Sequence, residues 1–327
     1  MSNKKNTKPT GIDDIDFSQL LDLRVDYAFK LFFGTRGTRR LKSLLNAIFE
    51  NKGIPRVVSS LTIANPSLEK KAPEDKASVL DIRATLADGT PVCIEMHLYD
   101  LNALKYKSLR TWARAYGEDL EPGQKYPEQN IVVCISFLNG PVKDSSGKPV
   151  DRIHSLFQVI ERDGRELLLP DMELHYIDMI AFVEYCKNLD AAKTDHDIFT
   201  QWLTLITQKD IEDKERVKQI CSNKEVKAAV KTLSNMSESK INRQAYQRRL
   251  DEIYYNEKMV REHELYYTTA TEQSATIAEQ SATIAEQSAA LADKDAVIAD
   301  KDAVLAEQAE EIARLKAQLG EGKKTSP

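Results

Sequence analysis

The sequence predicts a mixed α/β core followed by a helical extension and a long helical tail. In the first half of the chain, short apolar segments alternate with helical patterns. Residues 131–137 are a continuous apolar run of strand length, which is typical of a strand covered on both faces. From Ile180 to Glu264 the pattern is helical throughout, and mixed elements followed by helices alone indicate an α/β core with an extension.

These patterns divide the 327 residues into five expected segments. They are a disordered N-terminus at residues 1–16, an α/β core at residues 17–179, a helical extension at residues 180–268, a heptad-repeat tail at residues 269–319 and a disordered C-terminus at residues 320–327. The composition is 42% hydrophobic and 30% charged, which is ordinary for a globular protein with a real core.

Composition also bears on the compartment and the partners. No apolar run approaches a membrane span, and the polar start lacks a signal peptide, so we expect a cytoplasmic protein without a membrane partner. The four cysteines are far apart and the five histidines lack zinc-ligand spacing. The net charge of −5 arises in residues 271–327 and leaves residues 1–270 neutral, so overall charge selects no partner.

The first helices are predicted from apolar spacing. Val25, Phe29 and Phe32 have helical spacing that ends at Gly34, and a second helix runs from about Thr38 to Gly53. Asp26 and Lys30 stand one turn apart and form a simple i,i+4 pair. Four basic residues gather near the start of the second helix: Arg36, Arg39, Arg40 and Lys42. They are either a phosphate-contacting patch or a solvated helix face.

The next strands form a predicted hairpin. Leu80–Leu86 and Pro91–Leu98 are joined by a turn at residues 87–89, and each strand alternates apolar with ionisable side chains. A three-residue loop with Gly89 in the left-handed region makes Leu86 and Thr90 the flanking pair. That register sets Asp81 opposite Glu95, whereas a two-residue turn would bury Asp81 among apolar side chains.

Two opposed carboxylates repel each other unless a cation lies between them. Mg²⁺ is the obvious candidate, because hard cations take carboxylate oxygens and keep several waters. The alternative is that Asp81 and Glu95 lie on the solvated side of a sheet, with His97 a structural or solvated histidine. The chain has no P-loop, GxGxxG or GxSxG fingerprint to support other chemistry.

Further elements lie before and after the hairpin in the sequence. A strand at residues 59–64 precedes it, and residues 102–120 after it are predicted to form a helix. Five residues of that helix fall near one face: Leu104, Leu109, Trp112, Ala113 and Tyr116. Two more strands are expected at residues 153–161 and 173–178.

The tail repeats every seven residues. One heptad position is apolar throughout: Ile277, Ile284, Leu291, Ile298, Leu305, Ile312 and Leu319. The complementary seam position is mostly polar, whereas a firm coiled coil needs both positions apolar. Two interpretations stay open, a homo-oligomer formed through residues 271–319 and a long solvated helix.

Four motifs occur in a specific order. They are RVDYAFKLFFG from Arg24, LDIRATLADGTPVCIEMH from Leu80, a helix, Gly-x-x-Tyr link and strand from Tyr106 to Leu138, and MELHYIDM from Met172. The set resembles the PD-(D/E)XK nucleases, specifically the transposase-like, recombination-promoting nuclease family of bacterial proteins. The resemblance runs from about Asp22 to Glu264.

The resemblance implies a restriction-endonuclease-like mixed sheet and a divalent-metal site. Asp81 and Glu95 would hold Mg²⁺, or Mn²⁺ instead, with the Met96 carbonyl as a third protein ligand. The ion would polarise the scissile phosphate and activate a bound water. By the same resemblance Asp26 assists metal binding, and Lys30 contacts phosphate or pairs with Asp26.

One position departs from the family pattern. The third side chain of the motif, Lys or Gln in the family, falls on His97. A neutral imidazole accepts a proton from water or orients it, but it is not a fixed cation at neutral pH. His97 therefore preserves activity, changes its pH dependence or marks a decayed copy.

The function implied is a Mg²⁺-dependent endonuclease that hydrolyses DNA phosphodiesters and promotes recombination or mobile-element movement. The competing hypothesis is a catalytically inactive nuclease-like protein that binds DNA or acts as a scaffold through its tail. A third is a nuclease directed at RNA.

Overall fold

The computed structural model describes residues 11–64, 82–98, 101, 103–119, 123, 125, 129–191, 193 and 196–322. The chain divides into two compact units, residues 1–252 and residues 253–327. Of the N-terminus expected to be disordered, residues 1–10 lie outside the described part, while Ile12 and Ile15 are buried in the core of the first unit.

The first two helices follow the predicted apolar stripes. Helix α1 spans Asp26–Phe33 and helix α2 spans Thr38–Asn51. Gly34 ends α1 by donating its N–H to the Lys30 carbonyl at 2.8 Å. Gly37 lies in the turn between the helices, where a Cβ would stand 2.3 Å from the Phe32 carbonyl oxygen. The turn therefore requires glycine because no side chain fits there.

A six-stranded mixed sheet lies at the centre of the first unit. Its strands are β1 Leu61–Ala64, β2 Ile82–Leu86, β3 Pro91–His97, β4 Val132–Leu138, β5 His154–Ile160 and β6 Leu167–Asp178. Their order is β1-β2-β3-β4-β6-β5. Strands β3, β4 and β6 are parallel and the other pairs are antiparallel. Helix α3, Leu104–Asp119, forms the crossover between β3 and β4.

The hairpin of β2 and β3 has the predicted register. The Leu86 N–H donates to the Thr90 carbonyl at 2.9 Å, and Gly89 has φ +88°. Ile82 pairs with Ile94, which continues the same register along the strands. The three-residue loop is therefore confirmed and the two-residue turn is excluded.

The region predicted to be helical after the core is broken into several helices. They are α4 Met179–Asn188, α5 Ile198–Ile206, α6 Lys214–Ile220, α7 Lys224–Glu238 and the start of α8 Lys240–Gly322. Each of α4 to α7 begins after an Asp or Asn side chain that accepts a backbone N–H: Asp178, Asp197, Asp213 and Asn223. These caps are the sequence signal that separates the helices.

The helices cover the two faces of the sheet unequally. Helices α1, α2 and α4 to α7 contribute to one large apolar core, with Ile94, Val133 and Ile135 pointing into it from the sheet. On the other face, α3 contributes to a smaller core with Cys93 and Cys134. Both faces of β3 and β4 are therefore buried, which is the usual situation of parallel strands.

Strand β6 is longer than predicted. It begins at Leu167 rather than at residue 173, and its first four residues are exposed where they pair with the end of β5. Residues 167–170 are an apolar run without alternation that includes a proline, which is atypical of a strand interior, so the sequence did not predict this part of β6.

The second unit, residues 253–327, is described only as part of α8, which runs to Gly322. The predicted helical tail is therefore a helix. Its heptad residues, including Ile277, Ile284 and Leu291, are exposed. None of the described helices is long and apolar enough to cross a membrane.

Candidate active site

Glu95 and His97 stand on the same face near the carboxyl end of β3, beneath α3. Their side chains alternate with Ile94 and Met96, which contribute to the large core on the opposite face. Ligands of open α/β sheets bind at the carboxyl ends of parallel strands, and β3 is parallel to β4 at this point. The fold thus places two ionisable groups at an edge suited to chemistry.

These two side chains are buried rather than solvated. Glu95 is 5% exposed and His97 is 7% exposed. The interpretation of this face as the wet side of a sheet is therefore wrong, because the crossover helix α3 covers it. A buried carboxylate is costly unless it is paired, so its partners decide what it can do.

Three neighbours surround the Glu95 carboxylate. His97 Nε2 lies 2.8 Å from Glu95 Oε2, and Lys107 Nζ of α3 lies 3.3 Å from the same oxygen. Thr111 Oγ1 donates to Oε1 at 3.4 Å. The Lys107 side chain is half-exposed, so it connects the buried Glu95 with the protein surface. The carboxylate is held between an imidazole of its own strand and an ammonium of the helix above.

The partners outweigh the cost of burial. Burial alone would raise the pKa of Glu95, but contact with His97 and the charge of Lys107 lower that pKa below its usual value. Glu95 is therefore a carboxylate at neutral pH and in mild acid. A charged, buried acid is the form needed to bind a cation.

A polar layer continues from Glu95 across the sheet. Ser136 of β4 and Tyr176 of β6 lie beside Glu95 in register, and Ser108 Oγ of α3 is 3.4 Å from Ser136 Oγ. All of these side chains are buried. Hydroxyl groups from α3 and from the strands thus form a buried polar layer between the helix and the sheet, where they can serve as hydrogen-bond partners for one another.

The predicted face of α3 is right only in part. Leu104, Trp112 and Tyr116 belong to or pack against the smaller core, but Leu109 is exposed. The residues of α3 that are packed fully inward are Leu104, Ser108, Thr111 and Ala115. The spacing i, i+4, i+7, i+11 is helical, but its members are mostly small or hydroxylated. Since that face covers the polar layer, apolar spacing alone could not find it. Lys107 and Thr111 are the site residues missed for this reason.

Asp81 lies outside the described residues. The described ladder between β2 and β3 stops at the pair Ile82 and Ile94, so the pairing of Asp81 with Glu95 stays a prediction. The role of the Met96 carbonyl as a metal ligand also stays a prediction.

Asp26 and Lys30 belong to a different set of contacts. Asp26 Oδ1 lies 2.8 Å from Arg249 Nε, and Lys30 Nζ lies 3.9 Å from Asp26 Oδ2. The predicted i,i+4 pair is present, with an arginine of α8 added to it. A part for Asp26 in metal binding and for Lys30 in phosphate contact stays a prediction.

The basic group at the start of α2 makes contacts within the protein. Arg39 donates to both carboxylate oxygens of Glu225 at 2.5 and 3.0 Å. Arg40 donates to the Phe32 carbonyl at 2.6 and 2.8 Å, and Lys42 donates to the Ser59 carbonyl at 2.9 Å. Arg36 accepts a bond from Arg40 at its carbonyl. Nucleic-acid binding by Arg36, Arg39, Arg40 and Lys42 stays a prediction.

The donor set at β3 suits a divalent cation only in part. Glu95 Oε2 and His97 Nε2 are buried and make no hydrogen bond of regular geometry with the described residues. Carboxylate and imidazole are both metal ligands, and carboxylate suits Mg²⁺ and Mn²⁺. No group of three His, Cys, Asp or Glu side chains within the described ranges is arranged to hold an ion. A complete site therefore needs a further ligand.

Together these features define a mixed α/β protein with an acidic site at the carboxyl end of a central strand. The family model described as PD-(D/E)XK nuclease family transposase matches residues 23–264, and the chain belongs to this family. Comparisons with curated proteins and with solved structures gave no significant match. The match confirms the predicted family, and the matched residues include β3 and α3. Membership of this family indicates a nuclease-like or transposase-like function.

Proposed function

We propose that this protein is a metal-dependent endonuclease that hydrolyses DNA phosphodiester bonds on a restriction-endonuclease-like fold. The observation that carries the proposal is the buried, ionised Glu95 at the end of β3. Its strand belongs to the region matched by the nuclease family. A perturbed carboxylate at the carboxyl end of a parallel strand is a typical catalytic arrangement.

Asp81, Glu95 and the Met96 carbonyl would hold Mg²⁺ or Mn²⁺. The described register supports this set, because one more pair beyond Ile82 and Ile94 would bring Asp81 opposite Glu95. A divalent ion bound there supplies polarisation of the scissile phosphate and lowers the pKa of a bound water.

Residues of the chain itself would provide the proton acceptor and the positive charge that the reaction needs. His97 Nε2 faces the Glu95 carboxylate at 2.8 Å, a contact in which Nε2 carries the proton, so Nδ1 is the nitrogen of a neutral imidazole that can accept a proton. Lys107 supplies the fixed positive charge that a histidine lacks, and its half-exposed ammonium can face an incoming phosphate. Burial under α3 limits water around Glu95, which strengthens these electrostatic contacts.

Plasmid cleavage tests the proposal. Supercoiled DNA with Mg²⁺ or Mn²⁺ should be nicked by the parent protein, and Glu95→Gln or Asp81→Asn should reduce the rate at least about 100-fold. Glu118→Gln is the matched control, because Glu118 is a half-buried carboxylate of α3 that pairs with Arg83 at 3.0 Å, about three helical turns away from Lys107. Equal nicking by the parent and by Glu95→Gln would contradict the proposal.

A second candidate is a catalytically inactive nuclease-like protein that binds DNA or acts as a scaffold. It is favoured by His97 at the position where the family usually has Gln or Lys, and by the engagement of Glu95 with His97 and Lys107. Metal-independent DNA binding without cleavage by the parent protein would select this alternative.

Further parts of the proposal rest on family membership. They are DNA rather than RNA as substrate, and a role in recombination or mobile-element movement. The segment bounds, with a core at residues 17–179 and an extension at residues 180–268, are also proposed. We further propose that residues 271–319 join copies of the chain, since their apolar stripe is exposed on α8.

A further inference from the structure

We propose that the DNA phosphate backbone docks along the side of α3 that carries Lys107, Arg110 and Arg114. This inference rests on the proposed function and adds the surface that presents substrate to Glu95. It moves the nucleic-acid contact away from the start of α2, where the sequence predicted it.

The basic residues of α3 come before its acidic ones. All four basic residues lie between Leu104 and Arg114, and the two acidic residues, Glu118 and Asp119, end the helix, where Glu118 pairs with Arg83. Lys107 and Arg110 are exposed and Arg114 is half-buried, and all three belong to the helix that covers Glu95. A cluster of basic side chains on one helix is the electrostatic footprint of phosphate binding.

The spacing of these residues forms a stripe. Positions 107, 110 and 114 follow i, i+3, i+7 and therefore lie along one side of the helix. The stripe is about 10 Å long at roughly 1.5 Å of rise per residue, which spans about three phosphates of one strand along the DNA axis. Tyr106, the neighbour of Lys107, is largely exposed and adds a hydroxyl donor to the same end.

Lys107 connects this stripe to the candidate active site. Its Nζ is 3.3 Å from Glu95 Oε2, although half of its side chain is exposed. A phosphate that contacts Arg110 and Arg114 would therefore lie on the helix that leads to Glu95. The basic group of α2 has no such connection, because α2 packs in the core on the opposite face of the sheet.

The test compares two double variants of the full chain. Arg110→Gln with Arg114→Gln removes two charges from α3 and leaves Lys107 in place. The control, Arg39→Gln with Lys42→Gln, removes two charges from α2. Binding of a fluorescent 20-base-pair DNA duplex is followed by anisotropy in EDTA between 50 and 200 mM KCl, so that cleavage cannot interfere. Circular dichroism and thermal unfolding check that each variant is folded.

We expect the α3 variant to weaken binding at least about tenfold and to make the slope of log K against log salt less negative by about 1.8, while the α2 variant changes neither. Unchanged binding by the α3 variant, or loss confined to the α2 variant, would overturn the inference. A parent that binds no duplex, or an α3-dependent preference for an RNA duplex, would overturn it too. A parent that binds DNA through α3 but cleaves none would support the inference while the proposed nuclease activity fails.

Discussion

In the first unit, a buried carboxylate lies between two basic groups. His97 approaches Glu95 from two residues along the same strand, and Lys107 approaches from the helix above. The first neighbour follows from the alternation of side chains along β3. The second depends on which side of α3 faces the sheet, a question of tertiary packing. Sequence patterns therefore found Glu95 and His97 but missed Lys107 and Thr111.

A second group of buried polar side chains, at β5 and β6, contributes to the stability of the fold. His154 lies between Asn51 and His175, with ring nitrogens 2.7 Å from Asn51 Oδ1 and 3.0 Å from His175 Nδ1. Glu173 is 3.5 Å from His175 and binds Arg56 at 2.7 and 3.1 Å. Burial, followed by the charges of His175 and Lys52, lowers the pKa of His154 to about 2.

This lowered pKa predicts a loss of stability in mild acid. The unfolded chain takes up a proton on His154 below about pH 6.5 and the folded chain does not, so the free energy of unfolding falls as the pH drops. The expected slope is about 1 kcal/mol per pH unit between pH 6 and 5. Urea unfolding at several pH values should show a smaller slope for His154→Gln.

The control for the pH measurement is His263→Gln, since His263 is exposed on α8. It should keep the parent's dependence on pH. If parent and His154→Gln lose stability equally between pH 7 and 5, His154 is not the group that couples protonation to unfolding.

Among the helices and strands, some features were predictable from local sequence signals and others depend on tertiary packing. Turn chemistry at Gly89 and alternation in β2 and β3 were enough to predict the hairpin register. The first residues of β6 escaped prediction because their apolar run has no alternation and contains a proline, and the inward face of α3 escaped because it is lined by hydroxyl groups. Elements that bury an apolar stripe are readable from sequence, and elements that bury polar groups are not.

The turn between α1 and α2 supports a prediction on stability. Gly37→Ala would place a Cβ 2.3 Å from the Phe32 carbonyl oxygen, so the turn must shift and the free energy of unfolding should fall by about 1–3 kcal/mol. Gly117→Ala is the matched control, because α3 has nothing within 4 Å of that Cβ. It should raise stability by up to about 1 kcal/mol. Similar urea midpoints for the two variants would contradict this account of the turn.

At the scale of the whole molecule, fold class was readable but strand order was not. A mixed core followed by helices is what the order of apolar patterns predicted, and the sheet and α4 to α7 confirm it. The placement of β6 between β4 and β5 joins segments distant in sequence. Such non-local pairing leaves no mark in any single segment, and neither does the choice of face for α3.

The tail supports a prediction on assembly. Ile284→Ser, Leu291→Ser and Ile298→Ser in the full chain remove the exposed stripe of α8, so sedimentation should show a fall from an oligomer to a monomer. The control replaces the next residue in each repeat, with Ala285→Ser, Ala292→Ser and Ala299→Ser. An unchanged mass for the stripe variant would favour the solvated helix instead.

We propose that Glu95 and Asp81 share one divalent ion on the α3 face of the sheet. The most direct test is a crystal structure of the full chain grown with Mn²⁺, together with the same measurement on Glu95→Gln. We predict an anomalous peak bound by both carboxylates in the parent and its absence in the variant. Asp81 and Glu95 on opposite faces of the sheet, or Mn²⁺ bound only elsewhere, would contradict the claim.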